Sequence, residues 1–283
     1  MKILVTGATG FIGYHVIHYL LDNKFEIIAT SSSRERAKNK DWFNQVSFIE
    51  QIIGIKTEEN LFQKFGQPDI LIHLAWEGLP DYKNLIHVEK VLPAHYAFLE
   101  NMIRNGLSNL TVTGTCFEYG MKTGCFTETM TPEPGNPYAR AKDELRKQLE
   151  DLQAVHSFSF KWVRLFYMYG KGQNPGSVLA LLDSALSRGD EIFNMSGGQQ
   201  VRDYLPVEEV AANIVHIAVQ NKVTGVINCC SNAPITIEKL VTNHIKKSGK
   251  SIQLNLGYYP YPDYEPMEFW GDDRKLKIAL EDR

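Results

Sequence analysis

Apolar and β-branched residues along this chain fall into short runs, separated by stretches in which apolar positions recur every three or four residues. The runs at 2–6, 26–30, 46–50, 70–74, 110–114 and 161–166 predict strands, and several of the stretches between them predict helices. After the first run, Phe11, Ile12, Val16, Ile17, Leu20 and Leu21 line one helical face. The fourth run follows Asp69 and continues almost unbroken to Ala75, as a central strand covered on both faces does. This alternation predicts an α/β fold, a Rossmann-type doubly wound parallel sheet whose ligand crevice lies at the carboxyl ends of the strands. Past residue 170 the alternation weakens. Residues 170–176 read as a loop, and a proline- and tyrosine-rich stretch covers 258–264. The expected division is a dinucleotide-binding Rossmann domain over 1–170 and, over 171–283, mainly a smaller C-terminal substrate-binding lobe, with some segments returning to the first domain.

A chain of 283 residues is long enough for that layout. Its net charge of −3 supplies no electrostatic footprint for nucleic acid or an anionic membrane, so neither is expected as a partner. No basic segment leads into an apolar signal core and no apolar run is long enough to span a bilayer, which predicts a cytoplasmic protein. Cys116, Cys125, Cys229 and Cys230 lack C-x-x-C spacing and are expected to be reduced thiols. The eight histidines form no H-x-x-x-H or H-E-x-x-H pattern. No metal is therefore expected, and His15, His18 and His73 read as satisfied polar side chains.

Gly7-Ala8-Thr9-Gly10-Phe11-Ile12-Gly13 stands where the first strand hands over to the first helix. Glycines there let an anion approach the backbone, and the helix start offers it unpaired N–H groups. The G-x-x-G-x-x-G spacing is a variant of the G-x-G-x-x-G dinucleotide fingerprint. Further on, Tyr138 and Lys142 lie four apart in a helix that begins near Pro137, so they share one face. An ammonium there is expected to draw the phenol's pKa down from about 10 toward the working range. Thr113-Gly114-Thr115 closes the strand at 110–114, where a hydroxyl, of Thr113 or Thr115, faces the crevice and can steady a substrate oxygen.

With these motifs the chain resembles the short-chain dehydrogenase/reductase superfamily, in its extended, sugar-nucleotide-modifying branch. The resemblance covers most of the chain. It rests on Gly7, Gly10 and Gly13, on His73-Leu74-Ala75, on Thr115 with Tyr119-Gly120, on Tyr138 and Lys142, on Arg164-Leu165-Phe166 with Tyr169-Gly170, and on 201–207. It implies that Thr115 polarises a carbonyl, Tyr138 is the acid–base, and Lys142 lowers the Tyr138 pKa and holds the nicotinamide ribose. Cofactor contacts are expected from Gly7, Thr9, Gly10, Phe11, Ile12, Gly13, Leu74, Ala75 and Trp76. Substrate contacts are expected from Glu77, Thr115, Cys116, Phe117, Tyr167, Asn174 and Arg202, the last as a fork for phosphate oxygens. Tyr167 stands where many members carry an Asn, and Cys116-Phe117 where similar dehydratases carry an acidic pair. The family also implies a homodimer that pairs helices around 92–104 and 138–154.

The second strand runs into Ser31-Ser32-Ser33-Arg34-Glu35-Arg36, with no acid in the position that binds the ribose 2′-hydroxyl of NAD. Ser31, Ser32, Ser33 and Arg34 suit a 2′-phosphate, so NADP(H) is expected in preference to NAD(H). The resulting expectation is an NADP(H)-dependent reductase of a nucleotide-activated 4-keto-6-deoxy sugar. An NAD-dependent epimerase or dehydratase is the alternative, and a non-catalytic dinucleotide-sensing protein is a third.

Overall fold

The computed structural model describes residues 1–54 and 58–281. Seven strands form its central sheet: β1 (Lys2–Thr6), β2 (Glu26–Ser31), β3 (Ser47–Glu50), β4 (Ile70–His73), β5 (Asn109–Thr115), β6 (Ser159–Leu165) and β7 (Gly225–Cys229). All pair in parallel, in the order β3-β2-β1-β4-β5-β6-β7. The strand order reverses between β1 and β4, which opens a crevice beyond their carboxyl ends.

Alternation along each strand sends side chains to opposite faces. Ile3 and Val5 of β1 join one core with Ile70 and Ile72 of β4, whereas Leu4 and Leu71 join the other. Helices α1 (Phe11–Asp22) and α4 (Val207–Val219) cover the first face, through Val16, Ile17, Leu20, Ile214 and Ile217. Helices α2 (Leu92–Arg104) and α3 (Pro137–Val155) cover the second, through Leu99, Met102, Leu145 and Leu149.

The six predicted strands form, each within two residues of its expected ends. Strand β7 and helix α4 are the sheet elements that the pattern did not single out. Nine of the thirteen residues of α4 are buried, which makes it a largely apolar run after its two opening glutamates. β7 is a short edge strand that opens on a glycine.

Helices Val178–Arg188 and Ile237–Ser248 and the strand pair Ile192–Asn194 with Gln253–Asn255 enclose a separate apolar cluster around Leu182, Phe193 and Val241. A fourth, largely aromatic cluster gathers Cys116, Tyr119, Phe126, Phe166, Cys230 and Phe269. All four cysteines are free thiols. Among the described residues no helix is long and apolar enough to cross a membrane.

Candidate active site

The glycine turn joins β1 to α1 through close backbone packing. A Cβ on Gly7, at φ +69°, would stand 2.8 Å from Ala75 N, and one on Gly13 would stand 2.2 Å from Gly7 O. Gly10 caps α1 with no side-chain hydrogen bond, so the helix start presents bare backbone. Beside it opens a cleft of about 370 Å³ bordered by Gly7, Thr9, Gly10, Ser31, Ser32, Leu74, Ala75, Trp76 and Glu77. A bare helix start, set by a turn packed too closely for a Cβ at 7 or 13, suits a dinucleotide's pyrophosphate.

Several expected cofactor residues stand elsewhere. Gly13 acts inside the turn and Ile12 packs against the core, while Phe11 borders a neighbouring groove with Tyr14 and Lys171. Ser33 accepts from Arg36 N and caps a short helix, Arg34–Lys38. Arg34 turns away from the cleft: its guanidinium donates to Phe48 O (3.2 Å) and lies 5.1 Å from the Phe48 ring centroid. Arg36 lines the cleft instead and donates to Ser32 Oγ (3.0 Å). Two residues apart on a helix point about 200° apart, so only one of these arginines can face the ligand.

The catalytic candidates converge where β5, α3 and the 74–87 segment meet. Asn136 Oδ1 accepts from Ala139 N (2.9 Å) and starts α3, which sets Tyr138 on its first turn. Thr115 ends β5, and its N–H donates to Glu118 Oε1 (2.8 Å) while its hydroxyl accepts from Phe117 N. Glu118 is itself fixed in the interior by Arg164 Nε (2.6 Å) and Trp162 Nε1 (3.0 Å). A buried ion pair with its remaining lone pairs occupied gives Thr115 one position.

Lys142 does not pair with the Tyr138 phenol. Its Nζ donates to Thr113 O (2.9 Å) and lies 3.9 Å from the centroid of Trp76. The expected downward pull on Tyr138 is absent from this structure. Burial pushes the phenol well up, neighbouring Tyr82 and Glu118 add to the rise, and only a hydrogen bond with the Thr115 side chain opposes it. Burial also draws Lys142 down to about 7, against the partial support of Glu118.

Trp76 is held in turn by His87, which the sequence reading passed over. Trp76 Nε1 donates to His87 Nδ1 (3.2 Å), so the proton on this imidazole sits on Nε2 and goes to Asp81 O (2.8 Å). Tyr138 has Trp76, Tyr82 and His87 as ring neighbours at 6.0, 5.5 and 5.4 Å.

A second histidine chain braces the cleft from below. Thr6 Oγ1 accepts from Leu74 N and Ala75 N and lies 2.9 Å from His73 Nδ1, so the hydroxyl donates to that nitrogen. His73 Nε2 then donates to His95 Nδ1 (2.8 Å). Burial drives both rings toward the neutral form, His73 well below its ordinary value and His95 to about 3. His73 is thus a satisfied polar residue, as are His15 on Lys171 O (2.8 Å) and His18 on Asp41 (3.0 Å).

Of the expected substrate residues, the Phe117 and Tyr167 rings meet edge to face at 6.3 Å. Glu77 is exposed on the rim of the cleft. Cys116 is buried in the aromatic cluster, and its thiol is pushed up by burial and by Glu265. Asn174 accepts from Gly176 N within its own loop (2.8 Å). Arg202 is buried and engaged by Glu265 and by the carbonyls of Val201, Pro266 and Met267, so it offers no open fork to a phosphate.

Residues 3–230 match the model of the NAD dependent epimerase/dehydratase family. The chain belongs to that family. This membership agrees with the resemblance to extended short-chain dehydrogenases/reductases. Among characterised members, the chain is 26% identical over 272 residues to a dTDP-6-deoxy-L-talose 4-dehydrogenase (NAD(+)) of Aggregatibacter actinomycetemcomitans, covering 96% of this chain and 99% of that one. It is 27% identical over 289 residues to a GDP-6-deoxy-D-talose 4-dehydrogenase of the same organism, covering 99% and 91%. Among solved structures, its fold is similar to a UDP-glucuronic acid 4-epimerase from Bacillus cereus in complex with UDP-glucuronic acid and NAD, at TM-score 0.82 and 24% identity, covering 99% and 93%. A dTDP-glucose 4,6-dehydratase from Bacillus anthracis in complex with NAD matches at TM-score 0.82 and 22% identity, covering 99% and 90%.

Proposed function

We propose that this member of the family interconverts a 4-keto and a 4-hydroxy group on a nucleotide-activated 6-deoxyhexose, with a nicotinamide dinucleotide as redox partner. The observation that carries this reading is the convergence of Thr115, Tyr138 and Lys142 behind Trp76, a residue that borders the cleft beside the glycine turn. A bound nicotinamide supplies or takes a hydride. The buried Tyr138 phenol stays protonated, which is the form needed to donate a proton to a carbonyl oxygen as it is reduced. The Thr115 hydroxyl, carried on a backbone whose N–H is held by Glu118, steadies the same oxygen. Lys142 holds its amino group between Thr113 O and the Trp76 face, and in its charged form would bind a ribose hydroxyl.

Two 4-dehydrogenases of 6-deoxytalose nucleotides among its relatives support the substrate class. Cys116 is buried and Glu118 is tied to Arg164, so neither stands ready as the second acid–base of a dehydratase. NADP(H) over NAD(H) is our finer reading, supported by Arg36 beside Ser32 at the ribose end of the cleft. NAD use is the second reading, favoured by the relative that carries NAD(+) in its name. We also assign residues 178–188 and 237–255 to the substrate-binding lobe.

The deciding assay supplies NADPH or NADH with thymidine- and guanosine-diphosphate 4-keto-6-deoxyhexoses. Cofactor oxidation is expected, and Tyr138→Phe should lower kcat by about a hundredfold or more while leaving cofactor affinity unchanged. Undiminished turnover in that variant would remove Tyr138 from its role.

A further inference from the structure

Arg202 is 1% exposed, and all three of its guanidinium nitrogens are engaged within the protein. Nε donates to Glu265 Oε2 (3.2 Å), Nη1 to Val201 O (2.8 Å) and Met267 O (3.0 Å), and Nη2 to Pro266 O (2.7 Å). Nη2 also stands 3.2 Å from the same Glu265 oxygen. The guanidinium carbon lies 4.5 Å from the Phe269 centroid and 5.7 Å from that of Tyr167. The Tyr167 hydroxyl donates to Glu265 as well. Two of these bonds reach the strap carbonyls of Pro266 and Met267 and others its Glu265 carboxylate, so Arg202 holds the strap at 265–267 rather than waiting for a ligand.

The preceding residue on that strap is Tyr264. Its ring lies 6.1 Å from Tyr82 and 6.3 Å from Phe117, and those two rings stand 5.2 Å apart. Tyr82 in turn lies 5.5 Å from Tyr138. Lys83 braces the outer side, with Nζ 3.0 Å from Asp263 and 5.8 Å from the Tyr264 centroid. The strap therefore closes a three-ring surface next to the acid–base group.

We propose that Arg202 and Glu265 are a positioning pair that clamps Tyr264 against Tyr82 and Phe117, and that these rings form the apolar wall receiving the deoxy carbon of the sugar. This rests on the reading of the substrate as a nucleotide-activated 6-deoxyhexose. In such a sugar the methyl carbon is attached to the ring carbon next to the one that reacts. With the reacting oxygen on Tyr138, the methyl must fall within reach of the rings beside it. Tyr264 is then a specificity-determining residue, and Arg202 and Glu265 act through it.

The test compares oxidation of a nucleotide-activated 6-deoxyhexose with oxidation of the matching 6-hydroxy sugar. Wild-type protein should favour the deoxy sugar by about tenfold or more in kcat/KM, the discrimination an apolar pocket gives for one small group. Tyr264→Ser should erase most of that ratio, whereas Tyr264→Phe should keep it. Glu265→Gln and Arg202→Lys should shift the ratio in the same direction as Tyr264→Ser, and both should speed chymotrypsin cleavage within 258–264. Thymidine and guanosine diphosphate alone should bind all these proteins alike. An unchanged ratio in Tyr264→Ser would overturn the wall. Weaker diphosphate binding in Arg202→Lys with tighter binding in Glu265→Gln would overturn the clamp, since that pattern marks a phosphate receptor masked by a carboxylate. Should wild-type protein oxidise neither sugar, the substrate reading fails, and unaltered cleavage in the two clamp variants would then overturn the clamp separately.

Discussion

Lys142 Nζ rests 3.9 Å above the Trp76 ring, with its hydrogen bond going to Thr113 O and none to the Tyr138 phenol. The lysine is therefore positioned by an aromatic face and a strand-end carbonyl. Burial draws the group down to about 7 against the support of Glu118, and the ring face is a further influence that favours the ammonium form.

Trp76→Leu removes that face. The pKa of Lys142 should fall further, and the limb of the kcat–pH profile that reports its loss of charge should move to lower pH. Activity at pH 8 should suffer more than activity at pH 6, and Trp76→Phe should restore most of it. A Leu variant with the wild-type profile would mean that Trp76 only fills space.

Arg36 and Arg34 offer a paired test of cofactor choice. Arg36→Ala should raise KM for NADP(H) by about tenfold or more, the value of a hydrogen bond to a charged group, with little change for NAD(H). Arg34→Ala should do neither, because that guanidinium is spent on Phe48. Equal effects of Arg36→Ala on both cofactors would refute a 2′-phosphate contact.

The buried His73–His95 pair links stability to pH. Both folded pKa values lie below the unfolded value of 6.5, His95 at about 3, so below pH 6.5 the unfolded chain binds protons that the folded one refuses. Stability gained from keeping them neutral is present above pH 6.5 and is lost as pH falls through that window. The loss is about 1.4 kcal/mol per pH unit for each histidine, so Tm should drop steadily from pH 6.5 to pH 5. His95→Gln should flatten that slope in calorimetric scans, and an unchanged slope would assign it to other groups.

Glu118→Gln leaves the Arg164 guanidinium buried without its counter-charge. Unfolding free energy should fall by about 3–5 kcal/mol. Because Thr115 loses its brace as well, kcat should decline in the surviving folded protein, as chemical denaturation and kinetics on the same sample can show. A stable variant with normal kcat would show that Thr115 needs no anchor.

Much of the layout is readable from neighbouring positions. The glycines at 7, 10 and 13, the hydroxyl at 115, and Tyr138 with Lys142 one helical turn apart all sit within single turns or strand ends. Backbone periodicity carries such relationships, so the six strands follow from spacing, and the candidate site residues from spacing together with the family resemblance. What spacing cannot show is which partner a side chain spends itself on. Arg202 looked like a phosphate fork until its nitrogens met Glu265 and Pro266, some sixty residues away. Lys142 was expected to act on Tyr138 and instead meets Trp76, and Arg36 rather than Arg34 borders the cleft. Strand β7 joins the sheet because its register with β6 buries it. Each of these outcomes depends on long-range packing, where a donor or an apolar face is satisfied by whatever the fold brings within a few ångströms.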